Sequence, residues 1–290
     1  MTEIQSSGLK KEPQTDDLLA LAKEKLTRGN ELKEQGMEQE SIACYKKAIA
    51  LKPDFIQPIY QLGEIYHQQK KYFEAARCYR KIIGLRSNSH SAYIKLAGTL
   101  KMQGKVYGAI AALAEAIEIK QDLHPGVYRD YGDLLSQVNN TNSDAIAAYQ
   151  QAADMKSDWG ADFYNKFANL LEKQGELNQA TIYYLKALNL RGNNHKQYLN
   201  VGNIYFKQGL LKEAVGNYQR ALELNPNFSK AYKKLGDVLK QMNQLDDAIR
   251  CYQRALEIQP NFRVVYRSLG NVLMKQGKES EAQLCYQKAG

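Results

Sequence analysis

Four cysteines, four histidines and a lysine-rich C-terminal third are the groups in this 290-residue chain that could do chemistry. A metal site needs Cys or His in tight clusters such as CxxC or HExxH, and a thiol or hydroxyl nucleophile needs a nearby base. The cysteines follow another rule: Cys44 and Cys78 are 34 residues apart, and so are Cys251 and Cys285. His67, His90, His124 and His195 are scattered, and no Gly-rich phosphate loop, GxSxG elbow or paired-carboxylate spacing occurs. The expectation is no catalytic residue, no metal and no cofactor. Charge is more informative. The net charge is +9, and residues 195–290 hold 15 Lys and Arg against 8 Asp and Glu, a surplus of +7. Those residue types bind an anion; they do not transform one.

The elements that carry these side chains repeat every 34 residues. Ser229-Lys230-Ala231-Tyr232 aligns with Arg263-Val264-Val265-Tyr266, Leu235-Gly236 with Leu269-Gly270, and Tyr252 with Tyr286. The frame divides the chain into eight units, 22–55, 56–89, 90–124, 125–160, 161–194, 195–228, 229–262 and a shortened 263–290. One extra residue falls in the third unit. Two fall in the fourth, one of them within Asn139-Asn140-Thr141-Asn142-Ser143. Apolar residues at unit positions 4, 7, 8 and 11, then 20, 24, 27 and 28, mark two amphipathic helices per unit. Small residues at positions 8 and 20 permit close helix approach. Gly36, Gly104, Gly175, Gly209 and Gly277 mark the turn between helices, and Pro53, Pro226 and Pro260 stop the second helix.

A Leu-Gly pair, an aromatic at position 4, Ala at 20, Tyr at 24, Ala at 27 and Pro at 32 resemble the tetratricopeptide repeat (TPR) over residues 22–290. Lys25, Ser41 and Ile82 depart from that pattern in the first two units. The resemblance implies an all-α fold, an α-α superhelix whose first helices line a concave groove. Fifteen of the twenty tyrosines occupy positions 4, 11 and 24, so they read as interhelical packing and not as a base-stacking surface. Equivalent cysteines then lie roughly 10 Å apart, beyond the ~7 Å reach of a disulfide.

Positions 2, 5, 6, 9, 12 and 13 of each first helix lie opposite its packing stripe and face the groove. In the last three units they hold Lys196, Asn200, Asn203, Phe206, Lys207, Lys230, Lys233, Lys234, Asp237, Lys240, Arg267, Asn271, Met274 and Lys275, eight cations to one acid. The resemblance also implies a pattern for gripping a free C-terminal carboxylate. Asn165, Asn169, Asn200, Lys230 and Lys234 match it except at Asn165, where a lysine belongs. The functional expectation is a non-catalytic scaffold that binds an acidic or extended peptide of a partner protein. The alternative is a substrate-recruiting module of a glycosyltransferase, sulfotransferase or methyltransferase. Lys exceeds Arg and the aromatics are committed to packing, which disfavours nucleic acid. The lack of an apolar signal region or an 18-residue apolar run makes a cytoplasmic chain without a membrane span the expectation. Residues 1–15 read as a flexible lead, and Asp16 and Asp17 as the cap of a short helix Leu18–Leu21. The last repeat lacks a polar capping helix, which points to self-association or a downstream domain.

Overall fold

The computed structural model describes residues 15–138, 141–192 and 194–290. The expected flexible lead lies outside these residues except for Thr15, and so do Asn139 and Asn140 of the expanded turn. Among the described residues there are sixteen α-helices and no strand. Contacts divide them into two compact units that meet in sequence between Leu135 and Ser136. The first contains α1 (Thr15–Glu34), α2 (Glu38–Leu51), α3 (Ile56–Gln68), α4 (Tyr72–Leu85), α5 (His90–Met102), α6 (Val106–Ile119) and α7 (Pro125–Leu135). The second contains α8 (Asn142–Met155), α9 (Ala161–Gln174), α10 (Leu177–Arg191), α11 (His195–Lys207), α12 (Leu211–Leu224), α13 (Ser229–Gln241), α14 (Leu245–Ile258), α15 (Arg263–Lys275) and α16 (Glu279–Ala289). Within each, every helix packs on its neighbours in sequence. No helix of the described residues is long and apolar enough to cross a membrane.

The turns follow from single residues. Gly36, Gly104, Gly175, Gly209 and Gly277 all have positive φ, between 72° and 84°, where a side chain would be strained. Lys70 and Asn243 occupy the same place at φ 60° and 59°. A lysine in the left-handed region costs about 1–2 kcal/mol, and an asparagine costs less. Lys70→Gly should therefore stabilise the chain by about 1 kcal/mol after glycine's entropic cost, and Asn243→Gly by a few tenths. Urea unfolding followed by circular dichroism checks both. No gain from Lys70→Gly would mean that the turn is not strained.

The second helices end before proline for the expected reason. Lys52, Asn225 and Gln259, which precede Pro53, Pro226 and Pro260, are extended or close to it. The N-terminus departs from expectation. Asp16 and Asp17 lie in the first turn of one continuous 20-residue α1, not ahead of a separate short helix. No proline interrupts it and Gly36 is the first turn glycine, so the helix runs on, with both acids at its positive end.

Position 8 sets the spacing of each helix pair. A methyl added at Gly29, Gly202, Gly236 or Gly270 would sit 2.6–2.7 Å from the Cε1 of Tyr45, Tyr218, Tyr252 or Tyr286. In these four repeats glycine leaves the room that the ring occupies against the first helix. The fifth repeat carries Ala168 and still buries Tyr184, so one methyl is accommodated where the helices are set for it. The departures are also satisfied: Ser41, fully buried, donates its hydroxyl to the Gly29 carbonyl at 2.8 Å, and Ile82 is buried in the core.

Candidate functional site

The groove face of each first helix is tied to the core by the tyrosine at position 24. Tyr45, Tyr184, Tyr218 and Tyr252 are at most 2% exposed. Their hydroxyls donate to Asn30 (2.8 Å), Asn169 (2.6 Å), Asn203 (2.9 Å) and Asp237 (2.9 Å), fifteen residues earlier. Tyr286 makes the same bond to Asn271 at 2.9 Å, although more exposed at the end of the described chain. These hydroxyls all donate from the second helix of a repeat to its first. They cross to position 9 and take its carbonyl or carboxylate oxygen, which leaves each asparagine's NH2 free to donate. Sequence reasoning missed this pairing, although a signal existed. The third repeat, which has Leu113 instead of tyrosine, has Gly98 at position 9.

Two acids in this layer also hold groove lysines. Glu172 accepts the Tyr184 hydroxyl at 2.6 Å and pairs with Lys207 of the next repeat at 2.8 Å. Asp237 accepts Tyr252 on Oδ1 and Lys233 on Oδ2, the latter at 2.6 Å. Both carboxylates are largely shielded, 17% and 13% exposed. Half-buried Lys234 lies between the two pairs. Burial pushes its pKa down first and the Lys233 ammonium adds to this; Asp237 opposes it, Lys207 lowers it further and Glu172 opposes it weakly. Among the described residues Lys234 has no ion-pair partner. Beside the Lys233–Asp237 pair a cleft of about 670 Å³ is lined also by Phe206, Lys240, Ser268 and Lys275.

The structure thus brings Lys207, Lys233 and Lys234 together around Glu172 and Asp237. Two of the eight counted cations are neutralised internally, one by an acid of the preceding repeat. Lys196, Lys230 and Arg267 are exposed, and Asn200 is half-buried. Asn169, Asn203 and Asn271 are oriented by their tyrosines. Asn165, at the place of the missing clamp lysine, is half-buried with its Oδ1 covered and without a donor among the described residues. The earlier repeats use the same face differently: Lys95 pairs with Glu64 and lies over the Tyr60 ring, and Lys33 donates to Gln61.

The remaining reactive groups are held passive. All four cysteines are free, and burial pushes the Cys78 and Cys251 thiols up to about 11. His67 packs edge-on to Tyr72 and His195 to Phe228, while His124 accepts the Gly126 N–H. Among the described residues no cluster could hold a metal. A second ladder, also missed, joins repeats at the turns. Gln69, Gln103, Gln208 and Gln276 donate to Glu38, the Tyr72 carbonyl, Asn178 and Asp246 of the repeat before.

Burial also raises the pKa values of Tyr79, Tyr184, Tyr218 and Tyr252. A raised value favours the neutral phenol or thiol in the folded chain. The associated stability is complete below the unfolded values, about 8.5 for Cys and 10 for Tyr, and is lost as pH rises through the folded ones. Helical signal should therefore begin to fall above about pH 9–10. Full helicity at pH 12 would contradict the burial of these hydroxyls.

Tandem helix pairs, each presenting a polar face on its first helix, define a helical-repeat interaction scaffold. Family models described as TPR repeat match residues 29–70, 202–243 and 236–277, and one described as tetratricopeptide repeat matches 56–89 and 161–194, together more than half of the chain. The chain belongs to the tetratricopeptide-repeat family. It resembles the C-terminal part of a TPR repeat-containing protein from Cytophaga hutchinsonii, with TM-score 0.61 and 17% identity over 79% of this chain and 93% of that one. It also resembles MamA (41-end) from Desulfovibrio magneticus RS-1, with TM-score 0.52 and 20% identity over 57% of this chain and 93% of that one. At these identities the likeness is one of fold. No curated protein matches the chain.

Proposed function

We propose that the first-helix groove of α9, α11, α13 and α15 binds an extended acidic segment of a partner protein. The observation that carries this reading is Lys234, half-buried beside two further lysines with no carboxylate of its own. A half-buried ammonium is costly to leave unpaired, and a ligand carboxylate would complete it by charge-assisted bonds. Asparagine supplies the rest of the recognition. The NH2 groups of Asn169, Asn203 and Asn271 are positioned to donate to peptide carbonyls, and the donorless Asn165 oxygen accepts a peptide N–H. The exposed cations Lys196, Lys230 and Arg267 extend the basic face along the same helices. Four free thiols suit a reducing compartment, which favours the cytoplasm.

Carbodiimide coupling tests the placement, because it joins a carboxylate to an amine only on contact. A labelled Asp/Glu-rich peptide should couple to Lys230, Lys234 and Lys240 on tryptic mapping. Coupling confined to lysines of the second helices, such as Lys212, would contradict the proposal.

A further inference from the structure

Position 9 carries asparagine in four repeats and an acid in three, Glu64, Asp133 and Asp237. In the first four the packing tyrosine gives its hydroxyl to the neutral asparagine: Asn30, Asn169, Asn203 and Asn271. The hydrogen bond to Tyr252 therefore does not require a carboxylate. The carboxylate adds a second bond, to Lys233 Nζ at 2.6 Å, inside the groove and on the wall of the cleft. Glu172 also holds a groove lysine two repeats earlier. The single hydroxyl hydrogen of Tyr184 has two acceptors within 2.6 Å, the Asn169 oxygen and a Glu172 carboxylate oxygen, and Glu172 also holds Lys207 at 2.8 Å. A neutral side-chain oxygen would satisfy either tyrosine, and each acid occupies a lysine that faces the groove.

We propose that Asp237 and Glu172 are built-in counter-ions that set the groove's affinity and specificity, each holding in the free protein a lysine that an acidic ligand would otherwise engage. This deepens the acidic-peptide reading and rests on it. A ligand carboxylate arriving at Lys234 meets two neighbouring negative charges, and it gains Lys233 or Lys207 only by displacing an internal partner that has no translational entropy to lose. A weak or singly charged anion is therefore refused. A segment carrying several acids competes effectively, because its first contact at Lys234 raises the local concentration of the next. The two acids thus work against indiscriminate polyanion binding by a strongly basic surface.

The test compares wild type with Asp237→Asn and Glu172→Gln, each of which keeps an oxygen for the tyrosine and removes only the charge. Anisotropy titrations use one labelled Glu-rich peptide and a control peptide with a single acid, at 50 mM salt. Each variant should bind the Glu-rich peptide roughly threefold or more tightly than wild type, and should gain proportionally more for the single-acid control. The gain should shrink at 300 mM salt. Thermal melting monitors the fold, and Tyr252→Phe reports on loss of the hydroxyl bond alone. Wild-type binding that Asp237→Asn and Glu172→Gln leave unchanged or weaken would overturn the counter-ion role while leaving the groove reading intact. No binding by any of the proteins would overturn the groove reading itself.

Discussion

Tyr252→Ala should cost about 3–5 kcal/mol, the range for emptying a fully buried aromatic site. The ring is fully buried, packs closely against Gly236 between α13 and α14, and anchors Asp237 through its hydroxyl. Removing it leaves a cavity that glycine cannot fill and deprives the groove acid of its donor. Tyr252→Phe keeps the ring and loses the hydrogen bond alone, so its cost should be near 1 kcal/mol. Stability in repeat arrays is roughly a sum of local and nearest-neighbour contributions, so the damage should also be local. Hydrogen exchange should show α13–α16 opening first while α9–α11 keep their protection. Equal losses for Ala and Phe would mean that the hydroxyl, not ring packing, dominates this site.

Lys230→Glu combined with Lys234→Glu should abolish binding of an acidic peptide, by about 100-fold or more at low salt. The double change moves four units of charge on one face of α13. It replaces the unpaired half-buried ammonium with a carboxylate beside Asp237 and Glu172. Both side chains lie off the packing stripe, so the helix content should be unchanged. Alanine at the same two positions should cost less, about tenfold, since it removes attraction without adding repulsion. Fluorescence anisotropy measures both, with circular dichroism as the control for folding.

The helices were legible because most turns and several helix ends rest on one residue type with a fixed conformational consequence. Gly36 and its equivalents are left-handed, and Pro53, Pro226 and Pro260 forbid continuation. The same logic failed at the N-terminus, where Asp16 and Asp17 stabilise a first turn as well as they cap one, and nothing ends the helix before Gly36. The burial of the position-24 tyrosines was also legible from the small residues opposite them. Their hydroxyl partners were not, because a fifteen-residue separation joins the groove face of one helix to the core face of the next. Helical periodicity treats those faces separately. Only paired variation, such as Gly98 with Leu113, carries that contact in the sequence.

The electrostatics were half legible. Composition located the basic surplus in the last three repeats, but Glu172 lies one repeat before the counted segment and neutralises Lys207 from there. Asp237 was visible as the single groove acid, while its simultaneous bonds to Tyr252 and Lys233 emerge only in three dimensions. The glutamine ladder was hidden for a different reason. Its donors are identical, but its acceptors are a glutamate, a backbone carbonyl, an asparagine and an aspartate, so no residue pattern repeats at the receiving end.

The most direct test of the groove assignment is an anisotropy titration of one acidic peptide, prepared with a free and with an amidated C-terminus, at low and moderate salt. Wild type and the Lys230→Ala/Lys234→Ala variant are measured side by side, with a nucleic-acid oligomer as competitor. Binding by an acidic segment predicts saturable wild-type binding that weakens with salt, a loss of about tenfold in the variant, and poor competition by the oligomer. A strong preference for the free terminus would identify Lys230 and Lys234 as a carboxylate grip, and equal binding of both peptides would identify side-chain acids as the recognised groups. Equal binding by wild type and variant, or equal competition by any polyanion, would contradict a peptide site in this groove.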